Sequence, residues 1–238
     1  PSLKPSYTNS FMLFYNTFLP EKQQSMMARL TFSNTINSVS NTVTYDEETG
    51  ARITQPKNIN GNWSASGGFV FNTPLKNKKF TVSTFSDGSY NNMVGFTSLS
   101  GQTDSQKNTT RSLNLSERLN GTFRNDWFEF GLNGGIRYNV SKSTLQPQSD
   151  KETFDYSFGA SSNVTLPWDV TVSTDASYSM KRGYSEGLDR NELIWNAQIA
   201  KNFLKKKQAT ISLQIYDILK EQSNLSRSIS ASMRQDTE

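Results

Sequence analysis

Trp127-Phe128-Glu129-Phe130-Gly131-Leu132-Asn133-Gly134-Gly135-Ile136-Arg137-Tyr138-Asn139-Val140-Ser141 is the stretch on which the reading of this chain turns. Phe128, Phe130, Leu132, Gly134, Ile136, Tyr138 and Val140 fall on one parity, and Glu129, Gly131, Asn133, Gly135, Arg137 and Asn139 on the other. Strict alternation of this kind is the mark of a strand with one apolar and one polar face. Here it is held for about 14 residues, whereas strands of soluble proteins average ~5–6. The length matches what a tilted strand needs to cross a bilayer, ~9–11 residues.

The same pattern recurs on both sides. Phe154, Tyr156, Phe158, Ala160, Ser162, Val164 and Leu166 alternate with Thr153, Asp155, Ser157, Gly159, Ser161 and Asn163. From the turn Leu166-Pro167-Trp168-Asp169 onward, Trp168, Val170, Val172, Thr174, Ala176, Tyr178 and Met180 alternate with Asp169, Thr171, Ser173, Asp175, Ser177 and Ser179. Weaker versions lie at Trp63–Phe71, Phe80–Phe96, Leu113–Phe123, Leu193–Phe203 and Ala209–Leu219, and less regular ones at 7–19 and 25–45. The spacing predicts ten or eleven strands and no amphipathic helix.

Connections fall into two alternating kinds. Short turns are expected near Pro20–Gln24, Pro74–Lys79, Arg124–Asp126, Pro167–Asp169 and Leu204–Gln208. Longer polar connections are expected at Tyr45–Asn58, Ser100–Thr110, Leu145–Glu152, Tyr184–Arg190 and Lys220–Arg227. Short turns on one rim and long loops on the other is the layout of an outer-membrane barrel. Trp127, Trp168 and Phe203 sit beside short turns, with Tyr138, Phe154, Tyr178 and Trp195 a bilayer's thickness away, as two aromatic girdles require. The expected fold is therefore all-β: an antiparallel up-and-down transmembrane β-barrel wall. Glu117 is the exception. It shares the apolar register of Leu113, Leu115, Leu119 and Phe123, which demands either a place at the outer interface or a break in register.

Composition agrees with a bilayer-facing sheet. The 238 residues include 34% hydrophobic, 12% aromatic and 19% charged residues, with a net charge of +4. Ser, Thr and Asn fill about a third of the chain. Lipid offers the backbone no hydrogen-bond partner, so only helices and closed sheets cross it, and no apolar run here is long enough for a helix. A soluble β-sandwich, a carbohydrate-binding or adhesion module, also explains the alternation, but neither the strand length nor the ordered connections.

The same composition narrows the chemistry. With no cysteine there is no disulfide, thiolate nucleophile or Cys-type zinc site, and with no histidine the commonest general base is missing. No dense Lys/Arg stripe points to nucleic acid. The reading is of a protein that is not an enzyme, with no catalytic, metal or cofactor residues. Asp46-Glu47-Glu48 lacks the alternating ligands of a calcium loop and reads as a solvated hairpin tip. Glu129, Arg137, Asp155 and Asp175 read as wall charges that pair with neighbouring strands or with a plug. Lys205-Lys206-Lys207 reads as a solvated corner that could also meet lipopolysaccharide phosphates. Gly67-Gly68 and Gly134-Gly135 mark bends or close approach of a neighbour.

Several short motifs carry a resemblance. Pro1-Ser2-Leu3-Lys4-Pro5-Ser6-Tyr7 resembles the lead-in to the last strands of TonB-dependent outer-membrane receptors. Asn60-Gly61-Asn62-Trp63, Phe71-Asn72-Thr73-Pro74-Leu75 and Ile215-Tyr216-Asp217-Ile218-Leu219-Lys220 are similar to the large-barrel subgroup found beside carboxypeptidase-regulatory-like domains. The resemblance implies that residues 1–238 are the C-terminal portion of a ~22-stranded barrel, without its plug and its aromatic-ended final strand. It implies import of a large or scarce solute across the outer membrane of a Gram-negative bacterium. The partners implied are outer-membrane lipids and lipopolysaccharide, a TonB-type energy transducer acting through the missing N-terminal part, and a surface lipoprotein. Residues 46–58 and 100–110 are the loops expected to help capture the ligand, whose identity the sequence leaves open. A barrel without a transport cycle, such as an adhesin or assembly scaffold, remains the alternative within membranes.

Overall fold

The computed structural model describes residues 3–45, 49, 51–75, 78–99, 104–184, 189–203 and 208–222, and the backbone of 226–229 and 234–237. Among the described residues fourteen strands follow in chain order: β1 (Tyr7–Leu19), β2 (Gln24–Ile36), β3 (Ser38–Tyr45), β4 (Arg52–Ile59), β5 (Asn62–Pro74), β6 (Phe80–Thr97), β7 (Gln106–Arg124), β8 (Phe128–Ser143), β9 (Lys151–Leu166), β10 (Val170–Arg182), β11 (Arg190–Phe203), β12 (Ala209–Ile215), β13 (Ser226–Ile229) and β14 (Arg234–Thr237). Ten of them form one antiparallel sheet in the order β1-β2-β5-β6-β7-β8-β9-β10-β11-β12. Each strand pairs with the next by a hairpin, except that β3 and β4 form a separate two-stranded extension between β2 and β5. The up-and-down order is as expected. The sheet is open, with β1 and β12 as its edges.

Register carries the parity of the sequence across the whole sheet. Leu13, Leu30, Gly67, Gly88, Leu115, Tyr138 and Phe154 form one continuous row, each the Cα partner of the next. The row beside it runs Phe14, Arg29, Gly68, Asp87, Ser116, Arg137, Asp155 and Lys181. Because side chains alternate with period two, the first row lies on one face and the second on the other. Gly67 and Gly88 oppose each other where leucines crowd in. A Cβ on Gly67 would meet Leu30 Cδ2 at 3.1 Å, and one on Gly88 would meet Leu115 Cδ2 at 3.0 Å. The expected close approach is thus real at Gly67 and at Gly135, whose Cβ would stand 2.8 Å from Ser157 Oγ, while a Cβ at Gly68 or Gly134 would meet only ordinary van der Waals contacts.

Among the described residues no second layer covers the sheet. Of the described apolar side chains only Ile59 and Val94 are buried, while Phe11, Leu13, Leu30, Leu119, Leu132 and Phe158 stand exposed. A sandwich would bury one face of each sheet against the other. Among the described residues this chain leaves its apolar face bare, which suits a bilayer-facing wall better than a sandwich. A row of exposed leucines and phenylalanines on a ten-stranded sheet is stable only beside an apolar solvent or partner.

Three boundaries differ from the sequence reading. The stretch 25–45, expected as one strand, is broken at Asn37, whose positive φ of 54° ends β2 and opens β3. The connection Tyr45–Asn58 is not a polar loop through its length. β4 occupies Arg52–Ile59 and pairs residue for residue with β3, because Val39, Val43 and Ile53 supply β-branched side chains to a short ladder. Likewise β7 begins at Gln106, inside the expected loop 100–110.

Candidate functional site

The polar face is a wall stitched by cross-strand side-chain hydrogen bonds. Thr8 pairs with Thr35 at 3.1 Å and Ser10 with Ser33 at 3.4 Å on β1–β2. Asn114 Nδ2 donates to Ser89 Oγ (3.2 Å) and Ser116 Oγ to Asp87 Oδ1 (2.6 Å) on β6–β7. Asn196 Nδ2 donates to Asp175 Oδ2 (2.8 Å) and Gln214 Nε2 to Gln198 Oε1 (2.7 Å) at the other end. Each bond joins register partners, so a face rich in hydroxyls and amides is self-satisfying even where water is scarce.

The charges expected on this wall are all found there, and Glu129, Asp155 and Asp175 have partners. Glu129 forms an ion pair with Arg124, its register partner on β7. Asp155 accepts the Tyr184 hydroxyl on both oxygens, at 2.8 and 3.1 Å, so a loop residue folds onto the wall. Asp175 is held by Asn196. Arg137 stands between Ser116 and Asp155 with no side-chain partner among the described residues, and Arg29 and Arg118 share that condition. Among the described residues no group of three metal-ligating side chains occurs. Asp46-Glu47-Glu48 and Lys205-Lys206-Lys207 lie outside the described residues.

Sequence reasoning missed an apolar island on this polar face. Met12, Phe14 and Phe18 share the parity of Ser10 and Asn16, and all three are exposed. Met27, Val70 and Phe85 continue the island on β2, β5 and β6 along a single register row that runs on to Arg118. The signal was present in β1, where both parities are apolar, and that is why 7–19 looked irregular.

Glu117 does not sit at a break in register: the β6–β7 pairing runs unbroken from Phe80↔Phe123 to Thr97↔Gln106. Its register partner Ile136 lies two residues from Tyr138, so Glu117 stands near the outer aromatic level, ~7 Å of strand inside it. Its two carboxylate oxygens each accept a hydroxyl from the neighbouring strand: Thr84 Oγ1 donates to Oε1 and Ser86 Oγ to Oε2. An acid on an apolar surface is tolerable only with such partners.

Aromatic rings mark two levels on the apolar face. Phe32, Trp63 and Tyr90 follow one another at 6.1 and 5.1 Å, and Tyr138 meets Phe154 at 4.9 Å. Toward the short turns, Phe80 meets Phe123 at 4.8 Å and Phe128 lies 5.7 Å from Trp127. Tyr138 and Phe128 are ten residues apart on β8, ~33 Å of strand or ~23 Å of depth at a 45° tilt. That is the height of the apolar band of an outer-membrane barrel, ~25 Å. Trp168, at the tip of a short turn with φ of 66°, is 81% exposed, as an interfacial ring should be. Tyr178 and Trp195 lie on the apolar face as expected, Trp195 Nε1 donating to Thr174 Oγ1 at 2.8 Å.

Among the described residues, parts of the rim with the long connections are tied together by hydrogen bonds. Val43 N donates to Ser105 Oγ and Ser105 N returns a bond to Val43 O, both 2.9 Å, so the β3–β4 hairpin is tied to the lead-in of β7. The two loop regions expected to share in capture, 46–58 and 100–110, are thereby joined. Asn108 is the hub of the next connection: only 1% exposed, its Oδ1 accepts from Ser143 Oγ (3.0 Å), Thr144 Oγ1 (3.1 Å) and Leu145 N (3.1 Å). Asn108→Ala strands these donors and is expected to free the connection 144–150, at about 1–3 kcal/mol of local stability. Limited proteolysis of intact cells reads this as new cleavage in 144–150 with the sheet itself protected.

Comparison with known proteins bears on the same architecture. No curated protein matches the chain. A family model described as the outer membrane protein beta-barrel family matches residues 103–238, more than half of the chain, from the lead-in of β7 through β14. β1, β2, β5 and β6 lie beyond that match yet continue the same sheet and the same two faces. Bare apolar face, membrane-high aromatic levels and hydrogen-bonded polar wall are what such a family must build, and the chain belongs to the outer membrane protein β-barrel family.

Proposed function

We propose that this chain is wall of a TonB-dependent receptor that imports a large or scarce solute across the outer membrane of a Gram-negative bacterium. The observation that carries the reading is the interior surface. A wall that only held water needs hydroxyls, amides and paired charges. This one also presents Phe14, Met27, Val70 and Phe85 in an apolar island, with Arg29 and Arg118 at its borders and no side-chain partner for either among the described residues. Such a surface is unfinished until something folded or bound lies against it, which suits a lumen that holds a plug and passes a solute. The motifs at 1–7, 60–63, 71–75 and 215–220 point to the same receptors, with a barrel of ~22 strands of which these are nearly half.

The test is growth of a deletion strain with iron, corrinoid, oligosaccharide or oligopeptide limiting, with and without the energy transducer. Loss of growth on one nutrient in both the receptor and transducer deletions supports import. Undiminished growth on all four, with a defect in surface adhesion or assembly instead, assigns the chain to a barrel with no transport cycle.

A further inference from the structure

Four cations gather on the outward face just beyond its upper aromatic level. Lys107 and Arg111 lie on β7 four residues apart, ~13 Å along the strand. Lys142 of β8 is the register partner of Arg111. Lys57 Nζ sits 5.6 Å from the ring centroid of Phe96, and Phe96 is the register partner of Lys107. Arg111 is two residues above Leu113, the partner of Tyr90, and Lys142 is four residues above Tyr138, so both stand where aromatic rings give way to headgroups.

Lys107, Arg111 and Lys142 are exposed, and none has a side-chain partner among the described residues. The carboxylates nearest in register are already engaged. Glu152 accepts the Tyr138 hydroxyl, and Asp150 accepts Ser143 N at 2.7 Å. Even with the charges of Glu152 and Asp150 counted, the four cations leave the patch net positive, about three strands wide, and facing lipid rather than lumen.

We propose that this patch binds the phosphorylated saccharide headgroup of an outer-leaflet glycolipid. Cations held at headgroup height attract anionic lipid, each contributing about as a juxtamembrane Lys or Arg does. Arg111 and Lys142, adjacent across two strands, clamp one phosphate, while Lys107 and Lys57 stand a strand-segment higher for a second or for acidic sugar. The proposal rests on the orientation that puts the long connections outside the cell, and is independent of what the lumen imports.

The experiment compares the full-length protein with the variant K107Q/R111Q/K142Q in detergent micelles, using purified lipopolysaccharide, its dephosphorylated form and inorganic phosphate as probes. Heat-modifiable gel mobility confirms that each variant is folded. If the triple variant fails this check, R111Q and K142Q are measured singly. Expected is binding weakened on the order of 100-fold for the triple variant and about 5-fold for each single one. Removing equal charge from the inner wall (R29Q/R118Q/R137Q) is expected to leave binding unchanged. Equal binding by the outward variant, or equal affinity for the dephosphorylated lipid, overturns the proposal. Competition by inorganic phosphate as potent as the lipid reduces the site to a free-anion site and also overturns it. No outcome reads import, so failure here leaves the receptor reading intact.

Discussion

Leu132→Arg is expected to destabilise the folded barrel by about 2–4 kcal/mol, while Asn133→Arg, one residue along, costs under about 1 kcal/mol. Leu132 is 54% exposed on the outward face of β8, four residues from Phe128 and six from Tyr138, so it lies near the middle of the apolar band. A guanidinium there must snorkel or drag water into hydrocarbon. Asn133 has the opposite parity, and arginine there joins a wall that already carries Arg137 and Arg118. Equilibrium unfolding in urea from phospholipid vesicles measures both. The asymmetry tests which face meets lipid. Equal costs at 132 and 133 would erase the distinction between an inner and an outer face.

Glu117 provides the second large effect. Removing its two donors together (Thr84→Val with Ser86→Ala) leaves a carboxyl group on the lipid-facing surface without partners and is expected to cost about 2–4 kcal/mol. Glu117→Leu in that background should recover most of the loss, because a leucine in register with Ile136, beside Leu115 and Leu119, completes the apolar surface. Glu117→Leu alone should cost little, since two hydroxyls left on a barrel surface can bond back to the strands. The four proteins form a double-mutant cycle in the same vesicle assay. A coupling below about 0.5 kcal/mol means the hydroxyl clamp does not stabilise the acid.

Whatever obeys period two is legible in the amino-acid sequence. The ten strands of the sheet, the parity of Phe128 through Val140, and the alternation of short and long connections follow from side chains that point alternately to lipid and to water, so the pattern is written residue by residue. The two-faced strand β1 resisted because its second apolar face, Met12, Phe14 and Phe18, answers to something other than the bilayer. The hairpin β3–β4 resisted for another reason. Eight-residue strands with charged and polar neighbours carry no lasting period, and only pairing with each other and the tie to Ser105 makes them strands.

The amino-acid sequence by itself determined the fold class, the membrane-facing side and the absence of thiol and imidazole chemistry, because composition and parity are local properties. Tertiary structure alone decided who stands beside whom. Register placed Thr84 and Ser86 against Glu117, Phe85 in line with Met27 and Val70, Lys142 beside Arg111, and Asn108 beneath a loop 35 residues away. A shift of one residue in any strand would keep every composition statistic and every strand's own alternation while exchanging its two faces, and pairing between strands is long-range information that no window of sequence contains.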